Sequence, residues 1–145
     1  MLGMEQVVID SNVLAKLFLD EEHSEKAQEI KDAYREQAIW LSAPSLIIYE
    51  LINTLEYKGF RQDKIGAALR ASYDYGIELK EIDRQFADFT AEAAVRHGIT
   101  AYDASYVALA SIIGATFYTA DVKLLGRTKE LGFVRHLGSF KGARR

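Results

Sequence analysis

The chain has 145 residues, 49% hydrophobic and 27% charged, with one Pro and no Cys. That composition suits an ordinary globular protein able to bury a core, and the lack of Cys excludes disulfide frameworks, thiolate zinc sites and a Cys nucleophile. The net charge of −3 argues against strong nonspecific attraction to nucleic acid, yet residues 122–145 hold seven basic groups and one acid, so a basic terminal stretch able to meet phosphates adjoins an acidic body.

The opening MLGMEQVVID has neither a basic n-region nor an apolar h-region and does not read as a signal peptide. VVID (7–10) is a β-branched run ending in an acid, which predicts a buried strand. Residues 11–20 read as helical, and 23–37 as a helix of mixed charge. IWLS (39–42) is a second strand, and Pro44 suits the first turn of the next helix, where no N–H is needed. Ile47, Ile48, Leu51, Ile52 and Leu55 follow at helical spacing. A helix over 61–74 precedes a strand in IELKEI (77–82), and Gly98 is placed to stop an amphipathic helix over 84–97.

Residues 101–113 are apolar all round, the mark of a buried helix. ATFYTA (115–120) reads as a strand, 122–130 as a short helix and FVRHL as a last edge strand. The longest uncharged run, 104–120, is too short and too interrupted by Ser, Thr and Gly to span a bilayer. No repeat or linker divides the chain, so the expectation is one domain over 1–145, with a core of about 5–137 and a short basic tail, 138–145. Cytoplasmic residence and no membrane contact are expected. Strands alternating with helices imply an α/β fold with a mostly parallel central sheet flanked by helices on both faces. Ligands in such sheets gather at the carboxyl ends of the strands.

Two acids fall at such ends: Asp10 closes VVID, and Asp121 lies just past ATFYTA. Glu50 sits on the flank of an apolar helical stripe, and Asp103 opens the buried helix. Each has a purely structural explanation. Asp10 and Asp121 could cap the helices that follow them, Thr100 with Asp103 fits a capping box, and Glu50 could pair with Lys58. Convergence of all four in one pocket is the other reading. Crowded carboxylates raise one another's pKa unless a cation neutralises them, and oxygen-only ligands suit Mg²⁺ or Mn²⁺.

The pieces VVIDSNVLAKLFLDEE, PSLIIYELINTL, AYDASYVALA and YTADVKLL, in that order, resemble the PIN-domain family of metal-dependent ribonucleases, and most of all its VapC-type toxins of prokaryotic toxin–antitoxin pairs. The resemblance spans about residues 5–137 and implies a PIN-like three-layer fold. It implies that Asp10, Glu50, Asp103 and Asp121 form an acidic quartet holding one or two Mg²⁺ or Mn²⁺ ions. Asn12 then matches a position that supports the first Asp, and Thr119 a small hydroxyl residue of the site. The implied activity is endonucleolytic cleavage of RNA by metal-activated water. The implied partners are an RNA substrate, a small cognate antitoxin lying across the active-site groove, and a second copy of the chain in a homodimer. The basic tail residues Lys141, Arg144 and Arg145 are candidates for contact with RNA phosphates.

Tyr49, Tyr102 and Tyr106 flank the acids, where base stacking and simple packing compete as roles. His23, His97 and His136 lack metal-ligand spacing and read as structural or solvated. VVIDSN also resembles the opening of haloacid-dehalogenase-type phosphatases, but that family has a second Asp where this chain has Asn12. A PIN-like protein used only for binding, its acids reduced to caps, is the non-enzymatic alternative.

Overall fold

A computed structural model describes residues 3–142. The first strand, β1 (Glu5–Ile9), enters with an exposed Glu5 and ends in Val7, Val8 and Ile9, all fully buried. Such a run, apolar on both faces, belongs in the middle of a parallel sheet. It is followed by α1 (Ser11–Ala15) and α2 (Ser24–Arg35), then β2 (Ile39–Pro44), α3 (Ile47–Tyr57), α4 (Gln62–Asp74) and β3 (Glu78–Lys80). Next come α5 (Arg84–His97), α6 (Ala101–Ile113), β4 (Thr116–Thr119), α7 (Val122–Arg127) and β5 (Val134–His136).

The described residues form a five-stranded sheet in the order β3-β2-β1-β4-β5. Every pairing is parallel, where a mostly parallel sheet was expected. Helices cover both faces, the three-layer arrangement expected from the alternation of strands and helices. The chain builds outward from β1 to β2 and β3, then returns to lay β4 on the other side of β1. That reversal makes a switch point between β1 and β4, where the helices leaving the two strands diverge and open a crevice. Ile9 lies opposite Tyr118 in the register, so Asp10 and Thr119, one residue further on, emerge there side by side.

Several boundaries differ from the sequence expectation. The helix predicted over 11–20 ends at Ala15, because Leu17 and Phe18 bond back three residues, to Leu14 and Ala15. This tightened turn carries Leu17, Phe18 and Leu19 onto the core. Pro44 does not open a helix: it ends β2, opposite Lys80. Its missing N–H is no loss there, since the Ser45 N–H donates to Lys80 O at 3.0 Å.

The buried helix α6 is as the sequence predicted, with Ala104 to Ala110 continuously buried. Gly98 stops α5 in the left-handed conformation (φ 62°) that a glycine adopts without strain. The core reaches past residue 137, because Phe140 is buried and packs edge-on against Tyr118. Among the described residues, no helix is long and apolar enough to cross a membrane.

Candidate active site

Asp10 leaves the end of β1 and caps α1, its Oδ1 accepting the Val13 N–H at 3.1 Å. Its Oδ2 accepts the Thr119 hydroxyl at 2.5 Å. The same Thr119 oxygen accepts the Asp121 N–H at 3.0 Å. A fully buried threonine therefore joins the ends of two neighbouring strands. Asp121 caps α7 in turn, its Oδ1 accepting the Leu124 N–H at 3.1 Å. Capping and clustering are thus not rivals here, since a carboxylate has lone pairs for both a backbone N–H and a further partner.

Glu50, half-buried on α3, accepts the Tyr106 hydroxyl on Oε1 at 2.5 Å. Tyr106 is buried on α6 and stacks on Phe117, with ring centres 5.7 Å apart. It therefore positions Glu50 and is not open to a base. The buried Ser11 hydroxyl lies beside both Glu50 and Tyr106 and pulls the pKa of each down, against the effect of burial. Reading the sequence missed Ser11 entirely and missed the polar role of Tyr106. The available signals were the hydroxyl next to Asp10 and the spacing of three between Asp103 and Tyr106, which puts both on one face of α6.

Asp103 stands apart from these networks. Its backbone N–H donates to Thr100 Oγ1 at 3.1 Å, which caps α6. Its carboxylate accepts no hydrogen bond among the described residues, so the expected capping box is only half made. The return bond of that motif favours Glu or Gln, and Asp is one methylene shorter.

Electrostatics link all four acids. Burial, with the nearby charges of Asp121 and Glu50, raises Asp10 to about 6, against the pull of its bonds to Thr119 and Val13. Burial raises Glu50, and Asp103 adds to the shift, while the Tyr106 and Ser11 hydroxyls oppose it. Asp103 is raised by burial and by Asp121. The donor chemistry, carboxylate oxygens that repel one another at a strand-end crevice, fits a hard divalent cation. Among the described residues, however, no three His, Asp or Glu side chains converge tightly enough to enclose an ion as they stand.

The other predicted residues are dispersed. Asn12 is exposed on α1 and makes no hydrogen bond to Asp10 among the described residues; Thr119 and Val13 hold that carboxylate instead. Lys141 is exposed and lines a separate hollow with Gly3, Glu5 and Ala38, at the amino-terminal end of the strands. Arg144 and Arg145 lie outside the described residues. Tyr49 and Tyr102 are 76% and 65% exposed, each adjacent in the chain to a site acid. The histidines take structural places: His136 Nδ1 accepts the Gly138 N–H, His23 packs edge-on against His136, and the buried His97 faces Glu130 at 3.4 Å.

Comparison with known proteins agrees with this architecture. The family model described as PIN domain matches residues 7–130. Ribonuclease VapC3 of Pyrobaculum aerophilum is 33% identical over 126 residues, covering 82% of this chain and 92% of that protein. The crystal structure of PAE2754 from Pyrobaculum aerophilum superposes with a TM-score of 0.65 at 25% identity, covering 94% of this chain and 93% of that one. A toxin–antitoxin complex from Klebsiella pneumoniae shares the fold, with a TM-score of 0.67 at 13% identity over 90% of this chain and 97% of that one. With a matching family model across most of its length and a VapC relative over nearly all of that protein, the chain belongs to the PIN-domain family, among its VapC-type members.

Proposed function

We propose that this protein is a metal-dependent endoribonuclease and the toxin of a toxin–antitoxin pair, with Asp10, Glu50, Asp103 and Asp121 as its active site. The observation that carries the reading is the electrostatic coupling of four acids from four separate elements at the switch point between β1 and β4. Kinship with a ribonuclease supports RNA as the substrate.

Mg²⁺ or Mn²⁺, one ion or two, is the cofactor proposed, held by the four carboxylates. Such an ion, when bound, lowers the pKa of a water and offsets charge developing on a phosphate. The protein's own part is positional. Thr119 and the Val13 N–H orient Asp10, Tyr106 orients Glu50, and the α7 cap orients Asp121. The Asp103 carboxylate, which accepts no hydrogen bond among the described residues, has its full oxygen capacity for a ligand. With its pKa raised to about 6, Asp10 gives up its proton readily as a cation arrives near neutral pH. The partners belonging to this reading are a small antitoxin over the groove and a second copy of the chain.

The deciding experiment is cleavage of RNA with Mg²⁺ or Mn²⁺ by the parent and by Asp103→Asn. The expected result is metal-dependent cleavage that the substitution abolishes. Robust cleavage by the variant would remove Asp103 from the site.

A further inference from the structure

Beside Asp103 and Asp121 lies a hollow of about 140 Å³, also lined by Gly98, Thr100, Lys123 and Arg127. Two cations here have no role in the site so far described. Lys123 and Arg127 are four residues apart on α7 and so share one face of that helix. Arg127 is fixed: its Nη1 donates to the Gly98 carbonyl at 2.7 Å, tying α7 to the turn between α5 and α6. A guanidinium has five N–H donors, so one anchoring bond leaves others to meet a ligand. Lys123 is exposed and makes no hydrogen bond or ion pair among the described residues, although two carboxylates line the same hollow. Thr100 Oγ1 accepts the Asp103 N–H, and its own hydroxyl hydrogen remains to be donated.

We propose that this hollow is a subsite for an RNA backbone phosphate next to the one cleaved, with Lys123 as its chief ligand and Arg127 and Thr100 beside it. The proposal rests on the ribonuclease reading and says where the strand runs: past Asp103 and Asp121 and onto α7. The ligand class follows from charge. An unpaired ammonium beside an anchored guanidinium selects an anion, and RNA carries its anions at regular spacing along the strand. The other candidate cation, Lys141, lines a different hollow, with Gly3, Glu5 and Ala38.

The test uses the full chain and a labelled single-stranded RNA of randomised sequence. Cleavage is measured with Mn²⁺, and binding is measured in chelator over a range of salt concentrations. For Lys123→Ala, KM should rise several-fold with kcat within about two-fold. The slope of log binding constant against log salt should shrink by about 0.7, the loss of one phosphate contact on a single strand. Lys123→Arg should restore both. Unaltered KM and salt slope in Lys123→Ala, with the parent still cleaving, would overturn the subsite alone. A fall in kcat at constant KM would also overturn it, because Lys123 would then act on the chemistry. A parent that neither binds nor cleaves RNA would overturn the ribonuclease reading and the subsite with it.

Discussion

The Tyr106 hydroxyl donates to Glu50 Oε1 at 2.5 Å, joining residues 56 positions apart. It fastens the buried helix α6 to Glu50, which, unlike Asp10 and Asp121, neither follows a strand nor caps a helix.

Tyr106→Phe keeps the ring on Phe117 and removes only that hydroxyl. Unfolding free energy should fall by about 1.5–3 kcal/mol, as for loss of a hydrogen bond to a charged group. The bond pulls the Glu50 pKa down, so its loss should move the acid limb of the pH–rate profile to higher pH. Denaturant melts and rate profiles would check this. An unshifted acid limb would show that ionisation of Glu50 does not govern cleavage.

Thr119→Val is close to isosteric but takes a donor from Asp10 and an acceptor from the Asp121 N–H. The cost to stability should be roughly 1–3 kcal/mol, since buried groups are left unpaired. With its strongest opposing influence gone, Asp10 should ionise above its present value of about 6. Activity at neutral pH should drop and partly recover in more alkaline buffer. A loss that is the same at every pH would point to displaced geometry instead.

Metal-free protein should lose stability as pH rises. Asp10 is raised from 3.8 to about 6 on folding. Its contribution is therefore fully present below 3.8 and disappears as pH passes through about 6. That contribution is on the order of 3 kcal/mol. Glu50 and Asp103, also raised, act in the same direction. A divalent cation that binds the ionised cluster should reverse the loss near neutral pH by linkage to the folded state. Thermal melts at neutral pH, with chelator and then with millimolar Mn²⁺, measure it; coincident melts would leave the metal-site reading without support.

Asp103→Asn separates function from stability. The α6 cap uses the backbone N–H of residue 103, which the substitution leaves in place. Removing the charge relieves repulsion with Asp121 and Glu50. Metal-free Tm should hold or rise, the shift with Mn²⁺ should shrink, and cleavage should fall on the order of 100-fold or more. A markedly lower Tm would mean that the carboxylate is structural.

Much of this molecule was readable from local pattern. A β-branched run marked β1, an unbroken apolar stretch marked α6, and Gly98 marked the stop after α5. Acids at the ends of VVID and ATFYTA, together with Glu50 and Asp103, named the candidate site. These features depend on neighbouring residues, so a linear reading reaches them. Other features depend on what packs against the chain. Pro44 became a strand end because β3 offered Lys80 O to the next N–H, and α1 stopped early to seat Leu17 and Phe18 in the core. Thr119 holds two acids because the parallel register sets β4 level with β1, and Ser11 and Tyr106 meet Glu50 because α1 packs on α3 and the Tyr106 side chain reaches it from α6. The sequence alone determined which residues carry charge and where the chain bends. Register and helix packing decided which hydroxyl meets which carboxylate, because a hydrogen bond forms only over about 3 Å and residues far apart in sequence reach that distance only in the folded chain.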